Sequence, residues 1–461
     1  MQEQAQRATR GEARCFPVLW GTEVKKKQFH INLFIYSRGH HEAAWRHPKS
    51  SRKALTDVQY YIDCTQKAEA ACFDSIFIAD TLAAPQDVNS ASRIWLEPLT
   101  TLGSLAVATN RIGLIATATT TYVEPFNLAR QLASLDHASN GRVGWNIVPT
   151  FSIPASRNFN HSSRPTHSQR YDIGEEFVNV ANALWDSWSD DAIVDDPATG
   201  IFARKDRIRP INHEGPHFQV AGPLNLPRCP QGRPVLVQAG SSERGIDFAA
   251  KYAEAVFTAQ LDKASARSFY RSLKEHVATV GRPMDQVLIL PGFSPMIGST
   301  EAEAKRMERD LNELGDPEIG RMKLSDRFDG QDFSHVPLDQ PLSVQDFPDP
   351  SLNEGTRSRV ELILQYVREE RPTLRQLLGR LAGARGHFGM AGTPEQVADA
   401  MEDWVDSGAA DGFNLMPPVL PFMLDVFIEE VVPILRRRGR FRSEYAGTML
   451  RDHYGLSRPS A

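Results

Sequence analysis

The chain has 461 residues, of which 41% are hydrophobic and 24% charged, and its formal net charge is -5. This is globular composition with material for a large core. It excludes binding to nucleic acid or an anionic membrane through bulk positive charge, and no apolar stretch reaches the ~20 residues of a transmembrane helix. The polar opening MQEQAQRATRGEARC lacks the apolar core of a signal peptide, so residues 1–28 read as a flexible arm and the protein as cytoplasmic. Four cysteines, Cys15, Cys64, Cys72 and Cys229, form no metal-type pair and read as reduced thiols. No metal site is expected.

From residue 29 onward, short apolar runs alternate with longer amphipathic stretches, the pattern of parallel βα units. FHINLFIY (29–36) is followed by a helical TDVQYYIDCTQKAEAACF (56–73) and a second strand, SIFIAD (75–80). LEPLTTLGSLAVAT (96–109) reads as a helix leading to RIGLIATATT (111–120). NLARQLASLDHASNG (127–141) has helical spacing and a glycine stop before VGWNIV (143–148). YDIGEEFVNVANALWDSW (171–188) is helical, and INHEGPHFQVAGPLN (211–225) reads as a hairpin. PVLVQAG (234–240), AVFTAQ (255–260), VLILPGFSPMIG (287–298) and DGFNLMP (411–417) supply four more strands.

About eight units is the number of a (β/α)8 TIM barrel, and no strand runs into the GxGxxG of a dinucleotide crevice. The domain expectation is an α/β barrel over 29–440, with insertions at 149–170 after strand four and at about 315–390 before the last strand. Loops of such length in a compact domain are lids or disordered segments. The basic, aromatic tail over 441–461 is a candidate subunit contact, with a solvated helix end as the plainer reading.

In a barrel the chemistry gathers at the carboxyl ends of the strands. Strand one runs toward His40, His41, Trp45 and Arg46; strand two ends in Asp80, strand three in Thr117, Thr119 and Thr120, strand four in Asn146, and strand five in Gly240, Ser241 and Ser242. Each has a plain explanation: Asp80 as a helix cap, Asn146 as a satisfied core amide, Gly240–Ser242 as an ordinary helix start, the His pair as surface. Small residues before a helix also make an anion site. Polar residues at several strand ends together favour a binding site. Trp145, Trp185, Trp188 and Phe218 read as packing residues.

The stretches GHHEAAWRHP, FIAD, LEPLTTLGSLAVATNRIGL, EPFNLARQLASLDHASNGRVGWNIV, RYDIGEEF, HEGPHFQVAGPLN, PVLVQAGSS and AGTPEQVADAMEDWVDSGAADGFNLMPP resemble the bacterial luciferase-like flavin-dependent monooxygenases. The closest subgroup is that of nitrilotriacetate, dibenzothiophene-sulfone and dimethyl-sulfide monooxygenases. The resemblance implies a (β/α)8 barrel using FMN, reduced by a separate NAD(P)H-dependent flavin reductase, with O2 as co-substrate. Oxygen transfer then passes through a flavin hydroperoxide to a small organic amine, aminocarboxylate or organosulfur compound. Carried over by position, Asp80, Thr117 and Asn146 match residues near the flavin ring. Tyr171, Gly240, Ser241 and Ser242 match the group around the FMN phosphate. His40 or His41 matches the substrate side, His167 is a further candidate for supporting the phosphate or the oxygen adduct, and Trp45, Pro149 and Thr150 are candidate substrate contacts. The implied assembly is a homodimer or homotetramer, with the reductase engaged transiently or only through diffusing reduced flavin.

The chain departs from the family pattern at Pro149-Thr150, where Thr-Ser is usual, at Asn160 in place of a glycine, and at Gly174 in place of Ala. The first two lie after strand four and point to altered substrate contacts rather than lost flavin binding. Two rival readings remain on the same scaffold: a deazaflavin-dependent oxidoreductase, and a non-catalytic flavin-binding protein.

Overall fold

The computed structural model describes residues 27–84, 92–94, 96–150, 152–159, 165–240, 242–349 and 357–460. The expected arm over 1–28 falls almost wholly outside them, as do Ser241 and Asn160.

Eight parallel strands close on themselves: β1 (His30–Ile35), β2 (Ser75–Ile78), β3 (Gly113–Thr119), β4 (Val143–Val148), β5 (Val235–Ala239), β6 (Ala255–Thr258), β7 (Leu288–Ile297) and β8 (Gly412–Leu415). They neighbour one another in chain order, and β1 pairs with β8 to complete the barrel. A parallel sheet covered by helices is buried on both faces, so its strands read as nearly continuous apolar runs. The pleat divides each run in two. Phe34, Phe77, Ile115, Val237 and Leu290 fill the interior, while Leu33, Ile76, Leu114, Trp145 and Ile147 pack outward beneath the helices.

The packing residues behave as expected. Trp185 and Trp188 direct their indole N–H groups to the carbonyls of Ala129 (2.9 Å) and Leu224 (2.7 Å), and Phe177 meets Phe218 edge-on at 5.5 Å. Cys64, Cys72 and Cys229 are buried free thiols. Among the described residues no helix is long and apolar enough to cross a membrane.

The tail turns back on its own barrel. Leu450, Tyr454 and Leu456 join the interior cluster at the amino ends of the strands. Gly113 and Gly144 make the close approach possible, since a Cβ there would lie 2.4 Å and 3.2 Å from Leu450. Arg451 is buried and paired with both carboxylate oxygens of Glu254, at 2.5 and 3.0 Å. The buried side chains of the described tail, Leu450, Arg451, Tyr454 and Leu456, thus close the barrel floor.

Both insertions carry structure. The one after β4 forms a short helix, Ile153–Ser156, and a 3-10 turn, Arg157–Phe159. The second contains helices Pro317–Arg327, Arg357–Glu370 and Leu374–Ala384 around its own apolar core, including Leu324, Phe328, Phe333, Phe347 and Leu377. It rejoins the barrel through a strand that the sequence reading missed, Phe388–Gly392, which pairs in parallel with the second half of β7. A further insertion before β5 holds hairpins at Ile193–Ala203 and His213–Val220. Glu176 anchors the second by accepting from the Phe218 amide at 2.9 Å and meeting His213 Nε2 at 3.0 Å.

Candidate active site

The carboxyl ends of the strands bring most of the singled-out residues around one mouth. Thr117 and Asn146 face each other across β3 and β4, in register and inside the barrel. The Asn146 Nδ2 group donates to Thr117 Oγ1 at 3.0 Å, which leaves Oδ1 buried and without a hydrogen-bond partner. A buried polar atom without a partner is costly, so one at a barrel mouth points to a ligand. The Trp145 beside it faces outward and donates to Ala118 at 3.1 Å. Thr150 bonds Thr119 side chain to side chain at 2.8 Å, with the half-buried Pro149 next to it.

Asp80 stands two residues beyond β2, one oxygen accepting from the Thr81 amide at 2.8 Å. Burial, with the charge of Glu97 adding to it, pushes its carboxyl up to about 6. A carboxyl titrating near neutrality at a strand end is a usual mark of a functional site.

The two adjacent histidines separate cleanly. His40 is buried, stacked on Tyr36 at 5.3 Å and edge-on to Phe34 at 4.6 Å. Its Nε2 lies 3.0 Å from the Phe34 carbonyl, which can only accept, so Nε2 carries the hydrogen and Nδ1 is a bare, buried acceptor without a partner. Burial drives its pKa down to about 3, the charge of Arg385 adding to it, so the ring stays neutral at ordinary pH. His41 uses both nitrogens: Nδ1 accepts from the Ala43 amide at 3.1 Å and Nε2 donates to Asn312 Oδ1 at 2.9 Å. It ties the loop after β1 to the helix Glu301–Glu313.

Glu42, absent from the sequence reading, strengthens that tie. Its carboxylate meets Arg93 at 2.8 Å and Lys323 of the insertion at 2.6 Å. Against the cost of burial, Arg385, Arg93 and Lys323 hold its pKa down at about 2. Trp45 lies on this side too, where it lines a cavity of about 690 Å3 with Arg46, Leu314, Lys323, Arg327 and Leu378. None of that lining comes from β3, β4 or β5, so Trp45 stands apart from Asn146.

The third group lies past β5. Ser242 caps the helix Glu243–Tyr252, its Oγ accepting from the Gly245 amide at 3.2 Å. The hydroxyl of Tyr171, on the helix His167–Trp185, closes over this turn: a Cβ on Gly245 would lie 3.1 Å from it, and one on Gly240 3.5 Å. Helix-terminal N–H groups, small residues and a hydroxyl make an anion cradle. The exposed His167 lies beside it, 5.1 Å from the Tyr171 ring centre. The Arg244 at this helix start pairs with Asp172 at 2.6 Å. Among the described residues no cluster of acidic, His and Cys side chains is arranged to hold a metal ion.

An unpartnered neutral amide inside the mouth and an anion cradle beside it fit a planar heterocycle that carries a phosphate. The family model for luciferase-like monooxygenases matches residues 33–411. The chain belongs to that family. It is a flavin-dependent monooxygenase. It is 44% identical to N-acetyl-S-(2-succino)cysteine monooxygenase of Bacillus subtilis, covering 94% of this chain and 98% of that one. It is 43% identical to nitrilotriacetate monooxygenase component A of Aminobacter aminovorans, with 94% and 97% covered. Among solved structures, riboflavin lyase with modified FMN and riboflavin matches with a TM-score of 0.82 at 30% identity, covering 94% of this chain and 97% of that one.

Proposed function

We propose that this protein is the oxygenase component of a two-component system. It takes FMN reduced by a separate NAD(P)H-dependent flavin reductase and oxygenates a carboxylated amine or thioether with O2. One oxygen atom enters the substrate, the other leaves as water, and the two electrons come from the reduced flavin. Hydroxylation of the carbon beside nitrogen or sulfur makes the C–N or C–S bond labile, releasing the heteroatom and a carbonyl product.

The observation that carries the reading is Asn146 Oδ1, a buried acceptor left open at the carboxyl end of β4. On this reading Asn146 and Thr117 orient the flavin ring, Asp80 lies at its edge, and Tyr171, Gly240, Ser241 and Ser242 hold the phosphate. When bound, the reduced flavin supplies the activation of dioxygen. The chain's part is to bind, orient and exclude water. His40 presents a neutral Nδ1 acceptor on the substrate side, and the insertion over 315–390 acts as a lid, latched to the loop after β1 by Glu42 through Lys323. The carboxylated substrate class is supported by the relatives named for nitrilotriacetate and for N-acetyl-S-(2-succino)cysteine.

The test is an anaerobic titration with reduced FMN, followed by oxygen-uptake assays with a flavin reductase, NADH and a panel of aminopolycarboxylates and S-carboxyalkyl thioethers. Tight binding of reduced FMN and oxygen uptake matched to substrate loss are expected. Absence of binding to reduced FMN defeats the reading.

A further inference from the structure

A second buried amide near the mouth belongs to Gln238. It is the penultimate residue of β5, flanked by Val237 and Ala239, and its side chain is 0% exposed. The pleat turns Val235 and Val237 into the barrel and Leu236 and Gln238 outward, toward layers filled elsewhere by Trp145 and Ile147. Its Nε2 and Oε1 are both buried and both lack a hydrogen-bond partner. A primary amide offers two donors and an acceptor, so burying it wholly unsatisfied is unfavourable at a site that any aliphatic residue could fill.

The position of that amide gives the reason. A Cβ on Gly240 would fall 2.5 Å from Gln238 Nε2, so the amide lies directly beneath a backbone that only glycine leaves open. The same Cβ would stand 3.5 Å from the Tyr171 hydroxyl, and one on Gly245 would stand 3.4 Å from the carbonyl carbon of Gly240. Gln238, Gly240, Tyr171 and the first turn of the helix Glu243–Tyr252 therefore enclose one small space. At the start of that helix, the Glu243 and Arg244 N–H groups have no intrahelical acceptor.

We propose that Gln238 is a phosphate-binding residue for the flavin, its Nε2 donating to a phosphate oxygen through the gap left by Gly240. This rests on the flavin reading above. It gives the phosphate site a neutral donor beside the Arg244 guanidinium, which Asp172 already pairs, with selectivity for FMN over riboflavin depending on an amide supplied from inside the barrel wall.

The test uses the full-length protein and its Gln238→Leu and Gln238→Glu variants. Binding of FMN and of riboflavin is followed by flavin fluorescence quenching, and unfolding of the flavin-free proteins by thermal denaturation. Gln238→Leu should weaken FMN by about tenfold or more and leave riboflavin unchanged. The flavin-free variant should melt at or above the wild-type temperature, because an unsatisfied amide has been removed. Gln238→Glu should weaken FMN further through charge repulsion while riboflavin still binds. Equal weakening of FMN and riboflavin, unchanged FMN affinity, or a lower melting temperature for flavin-free Gln238→Leu would overturn the proposal while the flavin reading stands. Failure of the wild-type protein to bind FMN would remove both.

Discussion

Two sets of buried polar side chains in this barrel differ in what they leave open. Near the floor, the amide of Asn32 is fully engaged: Nδ2 donates to Asn414 Oδ1 at 3.0 Å, and Oδ1 accepts from the Tyr454 hydroxyl at 2.9 Å. Asn414 in turn donates to the Leu290 carbonyl at 3.1 Å. At the other end Asn146, Gln238, His40 and Thr120 are equally buried, yet each leaves at least one polar atom without a partner. A closed network fixes the register of tail and strands, whereas open valences on rigid strands wait for a ligand. Exposure alone would not have told the two ends apart.

Matched substitutions break that comparison most directly. Asn32→Leu takes one hydrogen bond from each of Asn414 and Tyr454 and should cost about 2–4 kcal/mol of stability, read from denaturant unfolding. Asn146→Leu removes a single internal bond, to Thr117, and should cost only about 1 kcal/mol while weakening reduced-FMN binding about tenfold or more. Equal losses of stability at the two sites would mean that the open valence is a packing accident.

Asp80 offers a second, pH-dependent contrast. Its carboxyl is pushed up in the folded protein, so the folded state holds a proton that the unfolded chain has already released at the same pH. Such a group contributes stability below its unfolded pKa and loses it as pH rises toward about 6. Asp80→Asn keeps an acceptor for the Thr81 amide and removes the titration. The variant should therefore melt above the wild type at pH 7 and together with it at pH 4, in the absence of flavin. A constant difference at both pH values would show that Asp80 is not desolvated.

What the sequence disclosed follows from which signals are local. All eight barrel strands were legible because burial on two faces writes unbroken apolar runs, and Asp80 and Asn146 stood out as interruptions of them. Gln238 interrupts VLVQAG just as Asn146 interrupts VGWNIV, so the same rule would have found it. The strand Phe388–Gly392 was missed because GHFGMAG is broken by glycines and its partner is the distant half of β7. The helix Leu374–Ala384 was passed over as loop although Leu374, Leu377, Leu378 and Leu381 have helical spacing. His40 and His41 could not be separated in advance. One meets a carbonyl six residues away, and the other an amide on a helix 271 residues further along the chain.

The smallest expected effect sharpens the carboxyl end further. Gly174 lies inside the helix His167–Trp185, where glycine is disfavoured relative to alanine by about 1 kcal/mol. A Cβ there would meet Thr120 Oγ1 at 3.4 Å, Phe248 at 3.6 Å and the Pro149 ring at 4.0 Å, which are ordinary contacts. Two of the departures from the family pattern, Pro149 and Gly174, therefore face each other across one space beside the unpartnered Thr120 hydroxyl. Gly174→Ala should raise stability by about 0.5–1 kcal/mol, measured by thermal unfolding, and leave flavin affinity unchanged. Pro149→Thr should shift substrate preference, and combining it with Gly174→Ala should give non-additive stabilities, since the two side chains touch. Destabilisation by Gly174→Ala would mean that the gap beside Thr120 is already closed, and that Pro149 acts without its help.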